Sequence, residues 1–97
     1  MENTFLSILK VSIRQLKAAR ALVGWSQEEL ASAAGVSVPT IKRLEAREGE
    51  LAGRQSTADK IHHALKEAGI EFISDNGGGP GVRLHKHRGK RTVAKRN

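Results

Sequence analysis

Charged side chains, rather than nucleophiles, are what this sequence offers for chemistry. Residues 83–97 carry Arg83, Lys86, Arg88, Lys90, Arg91, Lys95 and Arg96 with no acid, while residues 1–82 balance basic against acidic side chains. The whole net charge of +7 therefore sits in the last fifteen residues. A neutral domain ending in a cationic stretch implies a polyanionic partner, nucleic acid first and an anionic membrane surface second, with a solubilising tail as the bland alternative.

The other candidate constellations are weaker. His62 and His63 are adjacent in helical sequence and so face about 100° apart. His85 and His87 share a face of any extended segment but lie in the cationic stretch, with no carboxylate or cysteine accompanying them. The glycines from Gly77 to Gly81 are not followed by a Lys-Ser/Thr pair or a helix, so they read as a hairpin connection, not a phosphate cradle. No Ser/His/Asp arrangement is present, and Glu28 and Glu29 are helix-start residues facing solvent. The sequence predicts no enzyme, no metal and no cofactor.

Length and composition limit the elements that must position these groups. Ninety-seven residues, 38% apolar and 28% charged, make one small globular domain with a modest core. The absence of cysteine excludes a disulfide scaffold and a thiolate zinc site, and it suits a reducing cytoplasm. No apolar run approaches the roughly 20 residues of a membrane span. Phe5-Leu6-Ser7-Ile8-Leu9 is too short for a signal-peptide core and runs into charged helical sequence.

Four helices follow from periodicity and punctuation. Ser12 with Gln15 forms a capping-box signature ahead of Ile13, Leu16, Ala19 and Val23, and Gly24 stops the helix. Ser26 with Glu29 repeats the signature before Leu30, Ala31 and Ala34, ending at Gly35. A third helix begins after Ser37 with Pro39 in its first turn, carries Ile41, Leu44 and Glu45, and fades by Gly49. A polar loop over 49–55 precedes a fourth, from a cap at Ser56 to Gly69, with Ile61, Leu65 and Ala68 on one face. Beyond it, Ile70–Ile73 and Val82–Leu84 read as a small hairpin with a floppy connection, which must pack on the helices or on a second copy. Past His85 the sequence predicts disorder. Residues 1–11 are ambiguous, either a helix extension or an arm at a dimer seam.

Gln27 to Ala46 is the informative stretch. Two helices joined by a short glycine-containing turn are the layout of a helix-turn-helix unit. A steep helix crossing demands a small residue at the fifth position, which is Ala31. The reversal favours a left-handed residue, which is Gly35. The shared core demands apolar residues, met by Leu30, Ala34, Val36, Ile41 and Leu44.

The runs Ala19–Ala31, Gly35-Val36-Ser37 and Thr40–Glu45 resemble the XRE/Cro-CI family of bacterial and phage repressor-type helix-turn-helix proteins, over about residues 12–69. Gly69–Leu84 more loosely resembles short members that end in a Gly-rich hairpin without a sensor domain. The resemblance implies a lambda-repressor-like, all-α core with a C-terminal β-hairpin and a disordered basic tail. It makes the third helix the recognition helix. Val38 and Pro39 then enter the major groove first, offering apolar contact to a thymine methyl, and Lys42 and Arg43 donate to guanine O6 and N7. Backbone contacts fall to Ser26 and Gln27 at a helix N-terminus, to Thr40 and Arg47, and to Arg54 in the following loop. Thr40 could equally serve a local backbone hydrogen bond. The resemblance also implies a structural ion pair between Arg20 and Glu45, and Trp25 reads as a core plug. Pro39 departs from a position that is often polar and base-reading, and Glu48 and Glu50 would repel phosphate unless paired with Arg47 or Arg54.

The expected organisation is an arm over 1–11, a DNA-binding domain over 12–69, a hairpin and possible dimer contact over 70–85, and a disordered tail over 86–97. The expected function is a repressor-type regulator of double-stranded DNA, a homodimer on an inverted repeat, in the bacterial cytoplasm at the nucleoid. The alternatives are an antitoxin that binds a toxin protein and autoregulates its operon, or a general nucleoid or RNA-binding module driven by the tail.

Overall fold

The computed structural model describes residues 11–51 and 55–86. The expected arm up to Lys10, Arg54, and the tail from His87 onward lie outside the described residues. Four helices, α1 (Ile13–Val23), α2 (Gln27–Ala34), α3 (Val38–Glu45) and α4 (Gln55–Glu67), precede a hairpin of β1 (Ile70–Ile73) and β2 (Gly81–Leu84).

Local chemistry sets the helix ends. At α1 the Ser12 hydroxyl accepts from Gln15 N–H at 3.0 Å and Gln15 Oε1 accepts from Ser12 N–H at 2.9 Å. At α2 the same box closes between Ser26 and Glu29. Ser37 caps α3, with Pro39 in its first turn, where a missing N–H costs nothing. The turn between α2 and α3 depends on Gly35, at φ +73°, which lets the amides of Gly35 and Val36 both reach the Ala31 carbonyl.

Two helices differ from the sequence expectation at their ends. Helix α3 stops at Glu45, with Ala46 as its cap, rather than fading toward Gly49. Helix α4 already includes Gln55 and ends at Glu67, so Ser56 is a helical residue and not the cap. Apolar spacing fixes a helix face but locates its ends only to one or two residues.

The core is formed by Leu16 and Ala19 of α1, Leu30, Ala31 and Ala34 of α2, Ile41 and Leu44 of α3, Ile61, Ala64 and Leu65 of α4, and Ile70 of β1. Val11, placed by the sequence in the arm, is also buried. Its carbonyl accepts from Leu51 N–H at 2.7 Å, and Ile13 N–H donates to the Gly49 carbonyl at 2.8 Å. This short antiparallel bridge, centred on Ser12 and Glu50, ties the loop after α3 to the start of α1.

The hairpin pairs Ile70 with Leu84, Glu71 with Arg83, Phe72 with Val82 and Ile73 with Gly81. It packs on the helices of its own chain, with Phe72, Val82 and Leu84 against the core. The connection read as floppy has internal order: Asp75 Oδ1 accepts from Gly77 N–H at 3.2 Å and from Gly79 N–H at 3.1 Å. Gln15 clamps the hairpin to α1. Its buried amide nitrogen donates to the carbonyls of Ile73 at 3.0 Å and Gly81 at 2.9 Å, one on each strand.

Candidate nucleic-acid interface

Helix α3 shows two chemically distinct faces. Ile41, Leu44 and Glu45 are buried, while Pro39, Lys42, Arg43, Ala46 and Arg47 are exposed. A helix of eight residues cannot hold its own angle in water, because it is shorter than an isolated stable helix. Its orientation comes from packing and from a polar junction at its C-terminal end.

That junction joins three helices. Arg20 of α1 grips Glu45 of α3 through two parallel bonds, Nε to Oε2 at 2.8 Å and Nη2 to Oε1 at 2.7 Å. Arg20 Nη1 also donates to the Trp25 carbonyl at 3.0 Å, and Gln27 Nε2 of α2 donates to Glu45 Oε1 at 3.0 Å. The Glu45 side chain is 5% exposed and that of Arg20 22%. Fork-on-fork geometry fixes direction as well as distance, so α3 cannot rotate without breaking both bonds. Trp25 is half-buried against the core beside this junction.

An eight-residue helix with a basic outer face, locked by its last turn to α1 and α2 and set behind a tight glycine turn, is the arrangement of a DNA-reading unit. A helix-turn-helix family model matches residues 16–67, more than half of the chain. The chain belongs to the XRE-type helix-turn-helix family. No curated protein matches the chain. The family is one of DNA-binding transcription regulators.

The electrostatics of this XRE-type junction follow from its contacts. Burial pushes the Glu45 carboxyl up. Hydrogen bonds from Arg20 and Gln27, with the nearby charges of Arg20 and Lys17, outweigh burial and hold it below the usual carboxylate range. The Arg20 guanidinium is raised, first by its hydrogen bond to Glu45. Both groups are therefore charged at neutral pH.

The remaining expected site residues divide by what already engages them. Pro39, Lys42 and Arg43 share the open side of α3, whereas Val38 is half-buried and packs against the core. The hydroxyls of Thr40 and Ser37 are 2.8 Å apart, and Thr40 N–H donates to Ser37 Oγ at 3.2 Å. The Ser26 hydroxyl is engaged in its capping box. Gln27 is tied by one amide hydrogen to Glu45. The Ser26 hydroxyl takes the Glu29 amide, and helix geometry leaves the Gln27 and Glu28 amides without an intrahelical acceptor, which favours an anion there, although Glu28 and Glu29 in the same turn oppose one. Arg47 and Glu48 are exposed just beyond α3.

A second titratable cluster lies away from α3, where α4 meets the hairpin. His62 stacks on Phe72 with ring centroids 4.9 Å apart, and its Nε2 is buried without a hydrogen-bond partner. Burial, then the charge of Lys66, lowers its pKa from the ordinary histidine value. His85, expected without a carboxylate neighbour, has Nε2 at 3.4 Å from Glu71 Oε1, which also accepts from Arg83 at 3.2 Å. Cross-strand pairing creates that proximity, and adjacency in sequence does not show it. Among the described residues no group of three or more His, Cys, Asp or Glu is placed to hold a metal, and no helix is long and apolar enough to cross a membrane.

Sequence reasoning missed two contributions. Gln15 reads as a capping residue only, yet its other amide end is the hairpin clamp. Lys17 is not singled out by any sequence pattern, although its charge helps to lower the Glu45 pKa. For Gln15 the available signal was a polar side chain at a helix position that faces the core.

Proposed function

We propose that this chain is a repressor-type, sequence-specific regulator that binds an inverted repeat as a homodimer, with α3 in the major groove. The observation that carries the reading is the bidentate lock on Glu45, which holds Pro39, Lys42 and Arg43 outward on a short helix of fixed angle. Lys42 and Arg43 donate to guanine edges, and Pro39 and the exposed part of Val38 supply apolar contact. The first turn of α2, at Ser26 and Gln27, with Thr40, Arg47 and Arg54, positions the duplex through phosphates.

One recognition helix spans only a few base pairs, so adequate specificity requires a second copy, with half-sites about 34 Å apart. The basic tail adds salt-sensitive, sequence-independent affinity. On this reading the chain divides into an arm that ends before the buried Val11, a reading domain that runs to residue 69, a hairpin over 70–85 and a tail over 86–97, and it acts at the bacterial nucleoid.

The test is selection of bound duplexes from a random pool at about 150 mM salt, near physiological ionic strength. The full chain and Arg43→Ala are run side by side. An inverted-repeat motif for the full chain, relaxed at one position per half-site by Arg43→Ala at a cost of about 1–3 kcal/mol, supports the reading. Recovery of no motif overturns it and leaves a partner-binding protein, such as an antitoxin, with a generic cationic tail.

A further inference from the structure

We propose that α1 presents a second phosphate-contacting face, Lys17 with Arg14 one turn before it, to the same duplex that α3 reads. The inference rests on the reading of α3 as the recognition helix and extends the interface to an element outside the helix-turn-helix pair.

Charge distribution within the neutral part of the chain is the first observation. Helix α1, Ile13–Val23, contains Arg14, Lys17 and Arg20 and no acid. Arg20 is neutralised by Glu45, but Arg14 and Lys17 are exposed and have no ion-pair partner among the described residues. Spaced three apart, the two cations share a helix face and repel one another in the free protein. A polyanion along that face removes the repulsion.

Placement is the second observation. Lys17 stands one turn before Arg20 on α1, and Arg20 bonds Glu45, the last residue of α3, where Gln27 also brings in the first turn of α2. The exposed Lys17 is thus on the part of α1 next to this junction, and its charge adds to the lowering of the Glu45 pKa. The junction is open to water there, since Arg20 keeps 22% of its side-chain surface exposed. Ala21, one turn beyond Lys17, is exposed and short, so no bulky side chain holds a phosphate backbone away from this part of the face. Ammonium groups on such a surface act as point charges toward phosphate, without base preference.

The experiment measures the affinity of the full chain for its selected duplex and for a duplex of unrelated sequence, across a series of salt concentrations. Lys17→Ala is expected to weaken both by a similar several-fold factor and to reduce the slope of log K against log[salt] by about 0.9. Arg14→Ala acts in the same direction with a smaller effect, and Lys17→Arg restores the slope. An unchanged slope for Lys17→Ala overturns the proposal, as does a loss of affinity accompanied by a lowered Tm or an altered motif, since either assigns Lys17 a structural or base-reading role. Arg43→Ala measured alongside separates the two readings. If the wild type does not prefer its selected duplex, the α3 reading fails, and the α1 face is judged by the slope on the unrelated duplex.

Discussion

Two polar junctions sit at opposite ends of α1. At the C-terminal end, Arg20 meets Glu45 and Gln27 as charged partners. At the N-terminal end, Gln15 meets Ser12 and both hairpin strands as a neutral amide. Each reaches across the fold from a single helix position, but the balance of forces differs. A buried ion pair recovers its desolvation only if both partners stay in place. A buried amide with its oxygen and nitrogen bonded carries little residual cost and little dependence on pH. The charged junction stands where helix angle must be fixed for an outside ligand, and the neutral one where a hairpin needs only to be held.

Breaking the charged junction should have the larger effect. Glu45→Ala leaves the Arg20 guanidinium without its fork partner and frees the last turn of α3. The expected loss is about 3 kcal/mol, the low end for a buried pair because Arg20 remains partly in water. Urea melts measure it. Replacing both Arg20 and Glu45 with Met should recover much of that stability, yet binding should stay weak, because packing alone does not set the direction of α3. Recovery of both stability and sequence-selective binding would show that the pair does not orient the helix.

Gln15→Ala is expected to cost about 2 kcal/mol, the scale of buried hydrogen bonds lost with a partner left unsatisfied. The signature is local: amide exchange should rise across residues 70–84 while α2 and α3 keep their protection. Gln15→Glu sharpens the point. A carboxylate accepts only, so it retains the capping bond to Ser12 but repels the carbonyls of Ile73 and Gly81. It should destabilise more than alanine at neutral pH and less as the carboxyl protonates.

These two junctions also mark how far the sequence could be read. The helix pair was legible because its constraints are local: capping boxes at Ser12 and Ser26, glycines at 24 and 35, and apolar residues at helical spacing. Glu45 was recognisable because a carboxylate at an inward position of a helix needs a partner, and the family resemblance named Arg20. The Gln15 clamp was not legible, because its acceptors lie 58 and 66 residues away and are backbone carbonyls, which leave no trace in residue type. The pairing of Val11 with Leu51 was missed for the same reason. At the interface, outward residues of α3 could be named from helix geometry, but the partial burial of Val38 and the bond of Gln27 to Glu45 depend on how three helices meet.

The smallest expected effect separates the hairpin's two supports. Beyond the Gln15 clamp, the hairpin rests on α4 through His62, whose Nε2 is buried and unpaired against Phe72. Asp59, His63 and Lys66 on its own helix act on it electrostatically, and Glu71, Arg83 and His85 lie on the hairpin side. Because the folded-state pKa is lowered, the unfolded chain takes up a proton first as pH falls. The neutral His62 therefore contributes stability that is intact above the ordinary histidine range, near 6.5, and is lost as pH drops through it toward the lower folded-state value. His62→Phe keeps a ring against Phe72 and removes both the orphaned nitrogen and the titration. At pH 7.5 it should match the wild type to within about 1 kcal/mol, and between pH 7 and 5 the wild type should lose stability relative to the variant. Parallel curves over that range would mean that His62 is not held neutral by its burial, and that the Gln15 clamp and the apolar face alone hold the hairpin.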